Sequence, residues 1–209
     1  MKFFIRAAAS ILAVISVQAV AEGDASAGQA KSAICAACHG ADGNSIVPNW
    51  PKLAGQHADY LERQIKLIKS NDRTVIEMSA FVSSLSDQDI EDIAAWYSSQ
   101  TNNGGVVADE STIVLGQRIY KAGDAESGIP ACMSCHGPAG GGIPLSGYPA
   151  LAGQHAAYTG KMLTAFRAGD HWGDDDGPSV VMNGVTARLS DEEIDAVASY
   201  IQGLFLDLE

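Results

Sequence analysis

Hydrophobic and polar positions along this chain recur with a helical period, and a strand-like alternation is sustained nowhere. Leu61, Ile65 and Ile68 stand at i, i+4 and i+7, which places them on one face of a helix. Ile90, Ile93, Ala94 and Tyr97 repeat that spacing, and Ile194, Val197, Ala198 and Ile201 repeat it near the C-terminus. Each of these last two segments opens on a serine followed three residues later by a carboxylate, Ser86 with Asp89 and Ser190 with Glu193. That is the spacing of an N-terminal capping box. Ala27 to Ile34 reads as a further short helix, so the expected fold class is all-α.

The chain also repeats on a larger scale. Cys35-Ala36-Ala37-Cys38-His39-Gly40 recurs as Cys132-Met133-Ser134-Cys135-His136-Gly137, and Pro51-Lys52-Leu53-Ala54-Gly55-Gln56-His57 recurs as Pro149-Ala150-Leu151-Ala152-Gly153-Gln154-His155. Leu85-Ser86-Asp87 returns as Leu189-Ser190-Asp191. The copies are offset by 97, 98 and 104 residues at these three blocks, so the second gains six residues between His155 and Leu189. The gain falls near residues 169–177, whose glycines and aspartates read as a solvated surface loop. The polar stretch 101–112 separates the copies, giving an expected division into residues 22–102, a linker at 103–112, and residues 113–209.

Residues 1–21 stand outside this scheme. Lys2 and Arg6 precede an apolar run from Ala7 to Val17 that ends in Ala19-Val20-Ala21, the composition of a cleaved secretory signal peptide. The mature chain is then 188 residues with 11 basic and 25 acidic side chains, a formal charge of −14. That charge argues against nucleic acid as a partner. It also repels anionic lipid, so peripheral membrane association would need something other than a basic patch. No second long apolar run follows, and the expected compartment is the periplasm.

Four cysteines in an exported chain invite a disulfide reading, yet their arrangement favours another. Cys-x-x-Cys-His is the attachment motif of c-type haem. Two thiols one helical turn apart can each add to a vinyl group of one porphyrin, and the adjacent imidazole is held under the iron. A four-cysteine zinc site would have to draw its ligands from both copies, and a thioredoxin-like dithiol would need βαβ patterning. Two motifs therefore predict two covalently bound haem c groups, attached at Cys35, Cys38, Cys132 and Cys135 with His39 and His136 as iron ligands.

If both copies share one design, the sixth ligand must also recur. Met133 and Met162 align with Ala36 and Gln64 and read as packing residues, and His171 has no counterpart. Two pairs remain, Met78 with Met182 and His57 with His155. The methionines lie seven residues before each Leu-Ser-Asp block, where a segment can cross the distal haem face. The histidines follow their proximal partners by only 18 and 19 residues and suit hydrogen bonds near the haem propionates or the domain interface. Methionine is favoured, against the ordinary role of methionine as core filling.

The two CxxCH units, the Pro-x-Leu-Ala-Gly-Gln blocks, Ala41-Asp42-Gly43-Asn44-Ser45 and the Leu-Ser-Asp helices together resemble the cytochrome c4 family of dihaem periplasmic cytochromes. The resemblance implies two small cytochrome c domains with facing haem propionates, and ligand pairs His39–Met78 and His136–Met182. It further implies an electron carrier, not an enzyme, taking electrons from a quinol-oxidising complex and passing them towards a terminal oxidase. The rival expectation is an electron-accepting subunit of a redox enzyme such as a flavin-containing sulfide dehydrogenase, since similar dihaem modules serve there.

Overall fold

The first and last helices of each repeat cross at a glycine, and that crossing organises the molecule. The computed structural model describes residues 23–173 and 176–206; the signal peptide expected at 1–21, and Asp174 and Asp175, lie outside them. In the first repeat α1 (Ala25–Lys31), α2 (Ala36–His39), α3 (Ala58–Ser70), α4 (Ile76–Val82) and α5 (Asp87–Ser98) follow one another. The second repeat has α6 (Ile113–Ala122), α7 (Met133–His136), α8 (Ala156–Arg167), α9 (Gly177–Thr186) and α10 (Asp191–Gln202). Among the described residues there is no named strand, only two isolated bridges, Asp124 with Ile129 and Ile143 with Tyr148.

α1 packs on α5 and α6 on α10. Gly28 lies so close to α5 that a β-carbon there would meet the Asp92 carbonyl oxygen at 1.9 Å, and one at Gly116 would meet that of Ala196 at 2.2 Å. Only glycine permits such an approach of two backbones. Both predicted capping boxes form: the Ser86 hydroxyl accepts from Asp89 N at 3.1 Å, the Ser190 hydroxyl accepts from Glu193 N at 3.2 Å, and each carboxylate returns a bond to the serine. The N-terminal helix is shorter than Ala27–Ile34 implies. It starts at an Asp24 cap and passes into a 3-10 turn over Ser32–Ile34 before reaching Cys35.

Two cores result. Leu61, Ile93, Ala94 and Tyr97 form the first, with Ile65 and Cys35 packed against it. Ile119, Tyr120, Ile129, Leu189, Ile194, Val197 and Ile201 form the second, with Cys132 and Met133 at its edge. Such small cores are thin for independent units, which suits domains completed by a cofactor.

Reciprocal hydrogen bonds join the two domains. Gln56 donates from Nε2 to Ala150 O at 2.9 Å and accepts from Ala150 N at 3.0 Å. Gln154 does the same to Lys52, at 2.9 Å in both directions. His155 Nε2 donates to Ser45 O at 2.8 Å, and His57 Nε2 is buried against Gly142. The stretch between the repeats takes part as well: Asn102 donates to Ala152 O at 3.1 Å, and the Lys52 ammonium donates to Asn103 and to Gly104 O.

The inserted segment corrects an expectation. It is a solvated loop only in part: Gly169, Asp170, His171 and Gly177 are exposed, but Trp172 is 6% and Asp176 8% exposed. Trp172 covers the Arg73 guanidinium at 4.5 Å, and Asp176 pairs with Arg63 at 3.1 Å while capping α9 through Ser179 N. Buried Arg73 also donates to Gln64 at 2.6 Å and to the Tyr158 hydroxyl at 3.0 Å. The insertion of the second domain thus clasps two arginines of the first.

Candidate haem sites

Each CxxCH motif turns through a short helix that ends on the histidine, because a glycine with positive φ follows at once, Gly40 (φ 81°) and Gly137 (φ 78°). The turn brings both cysteines and the histidine of each motif to one place. His39 Nδ1 lies 2.9 Å from Pro51 O, and His136 Nδ1 lies 2.9 Å from Pro149 O. A carbonyl only accepts, so Nδ1 carries the proton and Nε2 keeps a lone pair for a metal. Burial holds both imidazoles below their ordinary pKa, against the opposing pull of the carbonyl, and the neutral form is the ligating one.

The thiols stand in a different electrostatic setting from a redox dithiol. Burial pushes the Cys35 thiol up and the Cys132 thiol up to about 11. A reactive CxxC pair has a depressed value at its attacking cysteine. None of the four cysteines is paired in a disulfide.

Met78 stands half-buried on α4, which packs on α3, and Met182 half-buried on α9, which packs on α8. In the second domain a cleft of about 620 Å³ opens between Ile129 and Pro130, which lead into Cys132, and Val181 and Val185, which flank Met182. Its lining carries no charged side chain, but it includes neither the cysteines nor His136 nor Met182. Met133 packs on the second core, and Met162 lies at the domain interface within 3.7 Å of Arg73. His57 and His155 fall at the interface, one of the two settings expected for them.

The donor set thus fits the group that the motifs imply, two thiols and an oriented neutral imidazole in each domain. A cytochrome c family model matches twice, over residues 25–101 and 113–205. The chain is 50% identical to a cytochrome c4 of Pseudomonas aeruginosa over 184 residues, 88% of this chain and 90% of that one.

The chain belongs to the cytochrome c4 family.

Its backbone also matches the crystal structure of reduced recombinant cytochrome c4 from Pseudomonas stutzeri with a TM-score of 0.83 at 48% identity, covering 88% of this chain and all of that one. A thiosulfate dehydrogenase electron acceptor of Stutzerimonas stutzeri is 36% identical over 169 residues, 79% of this chain and 76% of that one. As a member of this family the chain carries two covalently bound haem c groups and transfers electrons; it is not an enzyme. Sequence reasoning missed two parts of the site. The carbonyls of Pro51 and Pro149 and the interdomain bonds of Gln56 and Gln154 lie inside a block whose recurrence was plain, but recurrence does not say which atom of a block is used.

Proposed function

We propose that the chain is a periplasmic relay that accepts and passes one electron per haem, from a quinol-oxidising complex towards a terminal oxidase. His39 and Met78 hold one iron and His136 and Met182 the other; Cys35, Cys38, Cys132 and Cys135 supply the thioether bonds. The domains comprise residues 22–102 and 113–209, joined by 103–112, after removal of the signal peptide at 1–21.

Bound haem supplies a one-electron couple whose potential its axial ligands and surroundings set. The protein orients each imidazole through the Nδ1 proton. It provides a methionine from a separate helix in each domain. With Met78 and Met182 as ligands, the irons would offer no site to a substrate and little rearrangement would accompany gain or loss of one electron. The tandem holds the second haem at high effective concentration beside the first.

Duplication of the histidine–carbonyl contact is the observation that carries the reading, because it sets up the same ligand twice. The 36% identity to a thiosulfate dehydrogenase electron acceptor favours a second reading, in which a sulfur-oxidising enzyme is the donor.

Pyridine haemochrome assay of the denatured protein tests the assignment. Two haems per wild-type chain and one in a Cys132→Ser, Cys135→Ser variant are expected; two in the variant or none in the wild type would refute it. Stopped-flow mixing with membranes containing a terminal oxidase, and separately with a thiosulfate-oxidising enzyme, decides between the partners.

A further inference from the structure

The interdomain glutamines do more than join surfaces, because each bonds to the peptide group that orients the other domain's histidine. Pro51 O, which accepts from His39 Nδ1 at 2.9 Å, and Lys52 N, which donates to Gln154 Oε1 at 2.9 Å, are the two ends of one peptide unit. Pro149 O accepts from His136 Nδ1 at 2.9 Å, and Ala150 N, at the other end of that unit, donates to Gln56 Oε1 at 3.0 Å. The second amide bond of each glutamine, to Lys52 O or Ala150 O at 2.9 Å, fixes its orientation. His39, Lys52, Gln56 and His136 are all buried, so water competes little with these bonds.

We propose that Gln154 tunes the haem ligated by His39, and Gln56 the haem ligated by His136, each acting across the domain boundary through a single peptide group. The proposal rests on His39 and His136 being the proximal ligands. Resonance couples the two ends of a peptide. When its N–H donates, its carbonyl oxygen becomes more negative and accepts more strongly, the cooperative effect seen in hydrogen-bond chains. A stronger acceptor at Nδ1–H increases electron density on the imidazole and makes Nε2 a better donor to iron. That favours the ferric state and lowers the reduction potential. The glutamines are positioning residues; neither belongs to the domain whose haem it tunes.

The crossed assignment makes the test specific. Gln154→Leu and Gln56→Leu are made in the full-length holoprotein, and both midpoints are followed by spectroelectrochemistry. Haem-methyl NMR shifts identify which haem is moving. Gln154→Leu should raise the His39 haem and Gln56→Leu the His136 haem, by roughly twofold to fivefold in the reduction equilibrium, or about 18–41 mV at 59 mV per decade. Unchanged potentials, or a shift confined to the haem of the mutated domain, would overturn the proposal. Small-angle scattering shows whether the domains stay together. If Gln154→Leu opens them, Gln154→Glu replaces it, because that side chain keeps an oxygen for Lys52 N–H; a raised His39 haem potential in this variant also overturns the proposal. The ligand reading is checked separately in the wild type by two haems and the methionine-to-iron charge-transfer band. Their absence removes both ideas, whereas their presence with unshifted potentials removes the coupling alone.

Discussion

Two glycine-to-alanine substitutions in the second domain should have opposite effects on its stability. At Gly116 a new β-carbon would sit 2.2 Å from Ala196 O, 2.8 Å from Ala196 C and 2.8 Å from Tyr200 Cβ. Ordinary carbon–oxygen contact needs roughly 1 Å more, and a helix carbonyl cannot rotate away, so α6 and α10 must separate by about that distance. A gap of this size forfeits a quarter to a half of the dispersion energy at each contact it opens. Ile119, Tyr120, Val197 and Ile201, all buried, lie in the core between these helices. Overpacking costs about 1–3 kcal/mol and more where backbones meet, whereas alanine returns about 1 kcal/mol of helix propensity. With the clash falling on backbone, the upper part of that range applies and the expected net loss is about 1–2 kcal/mol. Gly160, on α8, is the control: its added methyl would lie 3.9 Å from Ala198 Cβ and Ile194 Cγ2, in ordinary contact, and should stabilise by about 0.5–1 kcal/mol. Guanidinium unfolding of the holoprotein, followed by Soret circular dichroism, measures both. If Gly116→Ala costs less than 1 kcal/mol, or the two variants shift together, the close crossing is not what holds this domain.

Met78→His and Met182→His should each lower one haem potential and abolish half of the methionine-to-iron charge-transfer absorbance; a spectrum unchanged in either variant would remove that residue from the site. Acid should weaken the first domain before the second. Lys31 pairs with Asp89 at 2.7 Å and Asp92 at 2.5 Å, holding both carboxyls below their ordinary range, so their stabilisation is complete above the unfolded-state carboxylate pKa and fades as pH falls below about 4. The second domain has Ile119 and Ala196 where the first has Lys31 and Asp92, and its own pair of Asp124 with Arg118 at 3.0 Å rests on a more exposed cation, so domain-resolved NMR during acid titration should show it outlasting the first. Removing the clasp with Trp172→Ala should cost about 3 kcal/mol or more and separate the thermal transitions of the two domains; one unsplit transition at the wild-type temperature would count against it.

Local chemistry was legible wherever one residue pattern maps onto one geometry. The capping boxes at Ser86 and Ser190 and the Leu61–Ile65–Ile68 stripe became structure as their spacing implies, and the repeat located both histidine sites. The clasp was not legible. Trp172 and Asp176 sit among glycines and aspartates whose average composition signals a loop, and burial came from arginines about a hundred residues earlier, beyond any local window. The glutamine bonds escaped for a related reason. Within a repeat each copy suggests its own domain as the partner, yet Gln56 bonds to Ala150 and Gln154 to Lys52.

Those crossed glutamines also say something about how such a chain can grow. Residue 56 meets residue 150 and residue 154 meets residue 52, the positions being equivalent in the two copies, so the joined faces are the same face used twice. This is the isologous contact of a twofold dimer, here carried within one polypeptide. A face that complements itself is saturated by one partner, unlike a head-to-tail contact, which always leaves another end free. Duplicating the unit once therefore closes the assembly at two haems, and a third copy appended to the chain would find no matching face left to join.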